Sequence, residues 1–227
     1  MNIIGYINSD FPEKFGVPRQ SGLAETTARI FLEPPYNHPD AVRGLEEFSH
    51  IWLLWQFSEN LDDEGNSRWS PTVRPPRLGG NRRKGVFATR SPFRPNPIGM
   101  SCVKLDKITF EEKGPVLHIT GADMVNGTPL YDIKPYIPYA DSHPEASGGF
   151  SDKAYAYSLK VQFGDGLLQK VEEEHRKAIE QLLSQDPRPS YQEDSERVYG
   201  MSYADYEIKF KVDKDLLTVV QIERKKL

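Results

Sequence analysis

The segment with the most unusual chemistry lies between residues 79 and 99, where arginines alternate with prolines. The three prolines between residues 92 and 97 fix the backbone φ angle and lack an N–H donor, so they exclude a helix interior or a central strand. A rigid loop of this kind holds Arg90 and Arg94 in preset positions, as a bidentate contact to a carboxylate or phosphate requires. The spacing alone leaves open whether these arginines bind a ligand or form structural ion pairs.

The same part of the chain carries a strong excess of positive charge. Nine Lys and Arg residues and no Asp or Glu lie between residues 68 and 104, in a chain whose formal net charge is −4. An acidic protein that concentrates its positive charge in one stretch offers a surface to the phosphates of a nucleic acid or a nucleotide. A solvated basic loop without any ligand is the alternative.

A second polar run, residues 123–136, begins at a turn. The pair Asn126-Gly127 is typical of a turn in which φ is positive, and a strand-like stretch follows it. Asp132 and Lys134 are two residues apart and would share one face of that strand. A plain ion pair on the strand surface is the commoner outcome of such spacing, and it stays open beside a catalytic role.

Several common cofactor and metal motifs are missing from the sequence. It has neither the GxGxxG pattern of dinucleotide sites nor a phosphate-binding P-loop, and the GxSxG and HExxH patterns are missing too. One cysteine and five histidines show no metal-ligand spacing. We therefore expect neither a Rossmann-type cofactor site nor a metal.

Composition places the chain among ordinary globular proteins. It has 227 residues, of which 37% are hydrophobic and 27% charged, enough for one large domain or a domain with an appendage. The longest apolar run, residues 51–55, is far shorter than the ~20 residues of a membrane span, and no signal peptide is visible. The single cysteine fits a reducing compartment. We expect a cytoplasmic protein without a membrane segment.

Short strands must position the two polar runs. Extended segments of 4 to 8 residues, bounded by Gly, Pro, Asn or Asp, dominate the first two thirds of the chain. These segments are residues 3–7, 28–32, 51–57, 86–89, 100–105, 116–122 and 130–137. No alternation with long helices separates them, so the pattern favours a β-sandwich or barrel over a doubly wound sheet.

One helix and a hairpin are expected in the last third. Apolar residues recur at three- and four-residue spacing over residues 167–183, and His175 on that face is interpreted as a core histidine. Residues 206–212 and 217–222 alternate as the two strands of a hairpin. The Gly-containing, apolar-poor residues 141–152 are interpreted as a linker.

Long ordered runs of the sequence resemble a known family. The runs are residues 15–20, 34–37, 41–46, 48–52, 71–80, 86–100 and 127–138, with 186–191 and 199–201 in the C-terminal part. They are similar to the TsaA-like or TrmO family of S-adenosylmethionine-dependent tRNA (adenine-N6)-methyltransferases, over nearly the whole chain. The resemblance implies a mainly β fold, with a single-sheet β-barrel that binds the methyl donor over residues 1–150 and a small α+β module over 151–227.

The resemblance further implies a homodimer with the donor site near the subunit interface. The implied reaction is methylation of N6 of threonylcarbamoyladenosine at position 37 of tRNA. By this resemblance the donor contacts map onto Pro18, Arg19, Gln20, Ser58, Glu59, Arg90, Met100, Asn126, Gly127, Thr128 and Pro129. Many members have histidine in place of Ser58 and aspartate in place of Asn126, so polar contacts there are expected to differ while backbone contacts survive.

Transfer to a urea-like N6 needs placement of that atom and help with its departing proton. We take Asp132 as the candidate base, with Lys134 and Tyr136 orienting the substrate. The candidate tRNA contacts are Arg82, Arg83, Lys84 and Arg94 in the basic stretch, and Arg188, Tyr191 and Arg197 in the C-terminal module.

Two other functions fit the same sequence. One is a β-barrel that binds RNA or a small ligand without turnover. The other is a methyltransferase with a different acceptor, because Ser58 and Asn126 depart from the family pattern.

Overall fold

The computed structural model of the protein describes residues 1–75, 78, 82–152, 157–188 and 194–225. Its N-terminal strands are β1 (Gly5–Ser9), β2 (Thr27–Leu32), β3 (His50–Gln56), β4 (Thr72–Val73), β5 (Lys84–Gly85), β6 (Ile98–Glu111), β7 (Gly114–Thr120) and β8 (Pro129–Pro135). Six of them close into a barrel in the order β1, β2, β7, β6, β3, β8, while β4 and β5 form a separate two-stranded ribbon. The predicted mainly β fold with a single-sheet barrel is confirmed.

Side-chain alternation explains why these strands close. Along β3, the residues Ile51, Leu53 and Trp55 are buried in the barrel core while their neighbours remain partly or fully exposed. Strands β1 and β2 show the same period of two. Each strand therefore contributes one apolar row to a common interior and one row to the outer face of the barrel wall.

The C-terminal part is a second, smaller core. The short helix α1 (Pro138–Asp141) precedes it, and its elements are β9 (Lys160–Phe163), α2 (Glu173–Ser184), β10 (Tyr199–Tyr203), β11 (Tyr206–Asp213) and β12 (Leu216–Arg224). The sheet order is β10, β11, β12, β9, with β9 parallel to β12. The buried face of α2, including Ile179 and Leu183, packs on this sheet. The predicted hairpin is present as β11–β12. The helix predicted over residues 167–183 begins only at Glu173, and a separate 3-10 turn, Leu168–Lys170, precedes it.

Other sequence expectations also differ from the structure. Residues 86–89 are not a strand: Val86–Ala88 is a 3-10 turn, closed because the backbone N–H of Thr89 donates to the Val86 carbonyl at 3.1 Å. Strand β6 is much longer than expected, with 14 residues. Strands β9 and β10 were missed, because β9 is only four residues long and β10 contains a glycine and lacks alternation.

The loop after β1 joins the two cores. Phe11 and Ala24 are buried in the C-terminal core, and Phe15 and Val17 pack against it. The backbone N–H of Ala204 donates to the Asp10 carbonyl at 2.8 Å. The C-terminal part therefore holds the loop that carries the predicted donor residues 18–20.

Strand direction decides which loops meet. All neighbouring barrel strands are antiparallel, so β1, β3 and β7 run the same way. The loops that follow them are residues 10–26, the described residues of 57–97, and 121–128. They therefore leave the barrel at one end, which we call the rim. Residues 33–49 and the β6–β7 hairpin lie at the opposite end. Within the described part of the chain, no helix has the length and apolar character needed to span a bilayer.

Candidate functional site

The rim collects almost every residue that the resemblance assigned to the methyl donor. Residues 18–20, 58–59, 90 and 126–128 lie in the three rim loops, and Pro129 is the first residue of β8. Met100 is near the rim end of β6, with its side chain exposed on the outer wall. Residues from four separated parts of the chain thus become neighbours only through barrel closure.

The first rim contact joins the loop after β1 to the proline-rich loop. The guanidinium of Arg90 donates from Nη1 to Oε1 of Gln20, at 2.5 Å. The amide of Gln20 in turn donates to the backbone carbonyl of Arg19, at 2.5 Å. Pro18 is buried beneath them, while Arg90 is exposed. The rim therefore presents a cationic group that is oriented by a second loop.

The second contact ties the same loop to the end of β3. Lys14 Nζ lies 3.0 Å from a carboxylate oxygen of Glu59. Ser58 and Glu59 begin a 3-10 turn whose last residue, Asn60, is buried and donates from Nδ2 to the Pro92 carbonyl at 3.0 Å. This turn consequently fixes the proline-rich loop against the barrel end.

The turn at residues 126–129 forms the third part of the rim. Gly127 has φ of 79°, the left-handed conformation that the Asn-Gly pair predicts, and its N–H donates to the Ile7 carbonyl at 2.8 Å. The Asn126 Oδ1 atom accepts from Asn8 Nδ2 at 3.1 Å and from the Ser9 N–H at 3.2 Å. A carboxylate could accept both of these bonds, so the Asn126 departure preserves the turn but removes a charge.

A partly buried carboxyl at the rim was not singled out from the sequence. Asp123 Oδ1 accepts from Ser101 Oγ at 2.6 Å, and Ser101 Oγ accepts from the Trp55 indole N–H at 3.0 Å. The ring of Trp55 lies over Gly99, where a Cβ would overlap it. Burial raises the pKa of Asp123 to about 6, although the Ser101 hydrogen bond and the charge of Arg90 lower it.

This carboxyl therefore changes charge near neutral pH, at the rim. A single acid after a strand has no motif of its own, so the sequence alone gave no reason to choose Asp123. Only the fold packs it among groups that shift its protonation.

Two of the three predicted catalytic residues, Asp132 and Lys134, lie on the outer face of β8, which runs away from the rim. Lys134 Nζ is 2.8 Å from Asp132 Oδ2, and these side chains are 62% and 45% exposed. Through the strand register, Asp132 lies beside Leu54, which lies beside Met100. We call Asp132 and Lys134 the outer pair. The structure thus brings Asp132 into one row with a predicted donor residue.

Tyr136 is not brought to the rim. Its N–H donates to the His50 carbonyl at 3.0 Å, at the start of β3, and its ring centroid is 5.9 Å from that of Trp52. At ~3.3 Å per residue, Tyr136 is roughly 20 Å along the strand from Pro129. Within one chain, its substrate-orienting role cannot act at the same point as the donor turn.

The basic residues of the proline-rich loop have different surroundings. Arg82, Arg83 and Lys84 are exposed, although Arg83 Nη1 donates to Thr72 Oγ1 at 2.6 Å. Arg94 Nη1 donates to the carbonyl oxygens of Thr89 at 2.7 Å and Val86 at 3.2 Å. The first three can reach phosphates, whereas Arg94 braces its own loop.

The C-terminal arginines also differ from each other. Arg188 is buried, with Nε 2.8 Å from Asp186 Oδ1 and Nη2 3.0 Å from Asp186 Oδ2. The exposed Arg197 places its guanidinium carbon 5.2 Å from the ring centroid of Tyr199. As placed, Arg188 serves the fold of the module. Phosphate contacts by these two residues stay predictions, and Tyr191 lies outside the described residues.

One group in the described part of the chain has the proximity needed for metal ligation. Potential ligand atoms of Glu172, Glu174 and His175 lie within 4.8 Å of one another, and both acids are exposed. His175 packs edge-on against Tyr203 and Tyr206, with centroids 5.8 and 6.0 Å away, in line with a core histidine. The group is in the C-terminal module, and the expectation of a metal-free protein stays a prediction.

Comparison with known proteins decides the family. A model of the tRNA-methyltransferase O N-terminal domain matches residues 6–142, and a model of the TrmO C-terminal domain matches residues 156–225. The chain belongs to the TrmO family. The TrmO N-terminal model contains the whole barrel except Gly5, and all three rim loops.

Full-length relatives share both parts of the TrmO chain. The tRNA (adenine(37)-N6)-methyltransferase of Escherichia coli K12 is 45% identical over 218 residues, covering 92% of this chain and 91% of the relative. A Pseudomonas aeruginosa PAO1 protein named putative S-adenosylmethionine-dependent methyltransferase RcsF is 42% identical over 230 residues, covering 96% and 95%. The crystal structure of TrmO from P. aeruginosa superposes with a TM-score of 0.77 at 35% identity, covering 98% of this chain and 95% of that one.

Proposed function

We propose that this protein transfers the methyl group of S-adenosylmethionine to N6 of threonylcarbamoyladenosine at position 37 of tRNA. The coarser statement, a tRNA adenine-N6 methyltransferase of the TrmO family, follows from family membership across both parts of the chain. The observation that carries the finer proposal is the rim, where the residues assigned to the donor meet beside an outer wall that bears a carboxylate.

The chemistry of the rim fits this donor. S-adenosylmethionine carries a carboxylate, an ammonium group, ribose hydroxyls and an adenine ring. The guanidinium of Arg90 complements a carboxylate, and Glu59 complements an ammonium group. The N–H groups of Asn126, Gly127 and Thr128 donate within the fold, so the turn offers carbonyl oxygens to the ribose and base. Met100 offers exposed apolar surface.

Once bound, S-adenosylmethionine supplies a methyl group already activated by its sulfonium centre. The protein has to place N6 of the acceptor and remove its proton, because a urea-like nitrogen is a poor nucleophile while protonated. We assign proton acceptance to the Asp132 carboxylate, which lies in the same row as Met100. Lys134, with Nζ 2.8 Å from Asp132 Oδ2, fixes the position of that carboxylate and orients the substrate.

The basic stretch is the proposed contact for tRNA. Arg82, Arg83 and Lys84 are exposed next to the rim and would bind phosphates of the anticodon stem-loop. No acid lies within residues 68–104 to compete with the phosphates. A homodimer in the cytoplasm completes the proposal, and sedimentation of the purified protein measures its oligomeric state.

The deciding experiment is nucleoside mass spectrometry. Threonylcarbamoyl-modified tRNA is incubated with the protein, with and without S-adenosylmethionine, and digested to nucleosides. We expect a donor-dependent gain of one methyl group on the threonylcarbamoyladenosine. Donor binding by calorimetry without any methylated product would favour the non-catalytic barrel, and methylation of unmodified adenosine would favour a different acceptor.

A further inference from the structure

Three large aromatic side chains are exposed on the basic stretch beside the rim. Trp69 is 55% exposed, Phe87 75% and Phe93 43%. Aromatic rings are normally withdrawn from water, and a group of them on a surface marks a binding site. None of the three is among the residues assigned to the donor, to the acceptor nitrogen or to phosphates. We call them the aromatic platform.

Backbone hydrogen bonds place these three rings on one rigid unit. The segment around Trp69 and the segment from residue 86 to 94 are joined from Ser70 N to the Phe93 carbonyl (3.1 Å) and from Val86 N to the Pro71 carbonyl (3.0 Å). The Ser67 hydroxyl also donates to the Arg94 carbonyl. The backbone segments that carry the rings are therefore held together, and little backbone entropy is lost when a ligand covers them.

Arg94 contacts one ring of the platform and braces the loop that carries it. Its guanidinium carbon lies 5.7 Å from the ring centroid of Phe87, and its Nη1 donates to two carbonyls of the same loop. A cation beside an exposed ring stabilises the ring's position while leaving its other face open. This contact explains why the most exposed ring of the platform does not fold back onto the barrel.

The charge around the platform selects its partner. Arg82, Arg83 and Lys84 are exposed and immediately precede the turn that carries Phe87, within a stretch that contains no acid. Phosphates beside stacked bases are the ligand that matches cations beside exposed rings. An anionic lipid surface also combines phosphates with apolar groups, but the family of this chain is one of tRNA methyltransferases, so unpaired RNA nucleotides are the ligand that the observations favour.

We propose that Trp69, Phe87 and Phe93 form a stacking platform for unpaired nucleotides of the RNA substrate. This inference deepens the proposed function, because it assigns the anticodon-loop bases to the rings and the stem phosphates to the cations. The platform requires only a single-stranded RNA segment. It is therefore testable with RNA that lacks the modified nucleoside.

The first test measures binding of an oligoadenylate and of threonylcarbamoyl-modified tRNA to Trp69→Ala, Phe87→Ala and Phe93→Ala variants. We expect each substitution to weaken oligoadenylate binding about fivefold or more, from the usual contribution of a stacked base. The dependence on salt concentration should keep its slope, because no charge is removed. Replacing Arg82, Arg83 and Lys84 by Gln should instead flatten that slope.

Phe110→Ala is the matched control. Phe110 is 65% exposed, but it lies on the β6–β7 hairpin at the opposite end of the barrel, beside Glu111 and Glu112. Its removal should leave RNA affinity unchanged. Thermal unfolding and S-adenosylmethionine binding of every variant should match the unsubstituted protein, which excludes misfolding as the cause of weaker binding.

Tryptophan fluorescence gives an independent readout. Of the three tryptophans, Trp55 is 7% exposed and Trp52 is half-buried, whereas Trp69 is 55% exposed and is the most open to a base. Oligoadenylate should quench the emission, and Trp69→Phe should abolish the quenching while keeping most of the affinity. This substitution separates stacking from a structural role of the side chain.

Unchanged RNA affinity in the triple alanine variant would overturn the proposal. A shift of that variant from dimer to monomer in sedimentation would also overturn it, because the platform would then be an interface between two copies of this chain. Stacking without methyl transfer to modified tRNA would sustain the platform and contradict the proposed reaction. Methyl transfer to modified tRNA, together with unchanged RNA affinity in the platform variants, would support the proposed reaction and contradict the platform.

Discussion

One aspartate lies at the rim and another on the outer face of β8, and the two carboxyls differ in burial and in partner. At the rim, Asp123 is partly buried and accepts from Ser101, and its pKa is raised to about 6. On the outer face, Asp132 is 45% exposed and is paired with Lys134 at 2.8 Å. The contrast shows that packing sets the protonation of Asp123 at the rim, whereas the outer pair lies open to water and to any substrate that covers it.

The two regions also differ in how they are built. The outer pair is local, since residues two apart on a strand share a face. The rim joins loops that are distant in sequence, through the Gln20–Arg90 and Lys14–Glu59 contacts. We therefore expect substitutions at the rim to change donor affinity, and substitutions in the outer pair to change turnover.

The largest expected effect is on turnover. Asp132→Asn should lower kcat by about a hundredfold or more, the usual contribution of a positioned base, and leave S-adenosylmethionine affinity unchanged. Single-turnover kinetics and calorimetry measure the two quantities. Asp106→Asn is the control, because Asp106 forms a similar pair with Lys104 at 2.9 Å on the barrel wall. Near-full turnover of Asp132→Asn would remove Asp132 from the mechanism.

The second effect separates the rim from the outer pair. Arg90→Ala should weaken S-adenosylmethionine binding about tenfold or more, because a charge-assisted hydrogen bond is lost. Arg43→Ala is the control, since Arg43 is exposed and pairs with Asp40 on the loop at the opposite end. Equal donor affinity in both variants, measured by calorimetry, would show that the rim does not bind the donor.

The third effect is a pH dependence of stability at the rim. Because the pKa of Asp123 is raised above its ordinary 3.8 to about 6, the folded state binds more protons than the unfolded state between these values. This group therefore makes the free energy of unfolding fall as pH rises from about 4 to 6.5. Asp123→Asn removes that fall. The free energy of unfolding of the variant minus that of the wild type should therefore increase with pH by about 1 to 3 kcal/mol.

Urea unfolding at several pH values measures that difference. A difference for Asp123→Asn that stays constant from pH 4 to 7 would contradict the described environment of Asp123.

The smallest effect is in the exposed rim pair. A double-mutant cycle with Lys14→Gln and Glu59→Gln should give a coupling of about 0.5 kcal/mol in stability, since both side chains are largely exposed. Adding S-adenosylmethionine should increase the coupling if the pair orders the donor loop. A coupling energy that is the same with and without S-adenosylmethionine would show that this contact is only a surface ion pair.

Part of the site could be predicted from the sequence. The Asn-Gly turn at 126–127 and the shared face of Asp132 and Lys134 are local, and both occur as expected. The turn at residues 86–88 was expected as a strand, because Val86 and Phe87 favour strands and the constraint comes from contacts outside the segment. The separation of Tyr136 from the donor turn follows from the strand predicted over residues 130–137, whereas strand direction, which no short motif encodes, decides which barrel end forms the rim.

The sequence by itself determined the mainly β class, the rigid proline-rich loop, the concentration of positive charge and, through ordered motifs, the family. Those properties follow from residue types, period-two patterning and backbone restrictions that act over a few residues. Only the tertiary structure decided that three loops meet at one rim, that Asp123 is packed against Ser101, and that Arg188 is buried against Asp186. Burial and electrostatic environment arise from contacts between distant segments, so they exist only once the barrel has closed.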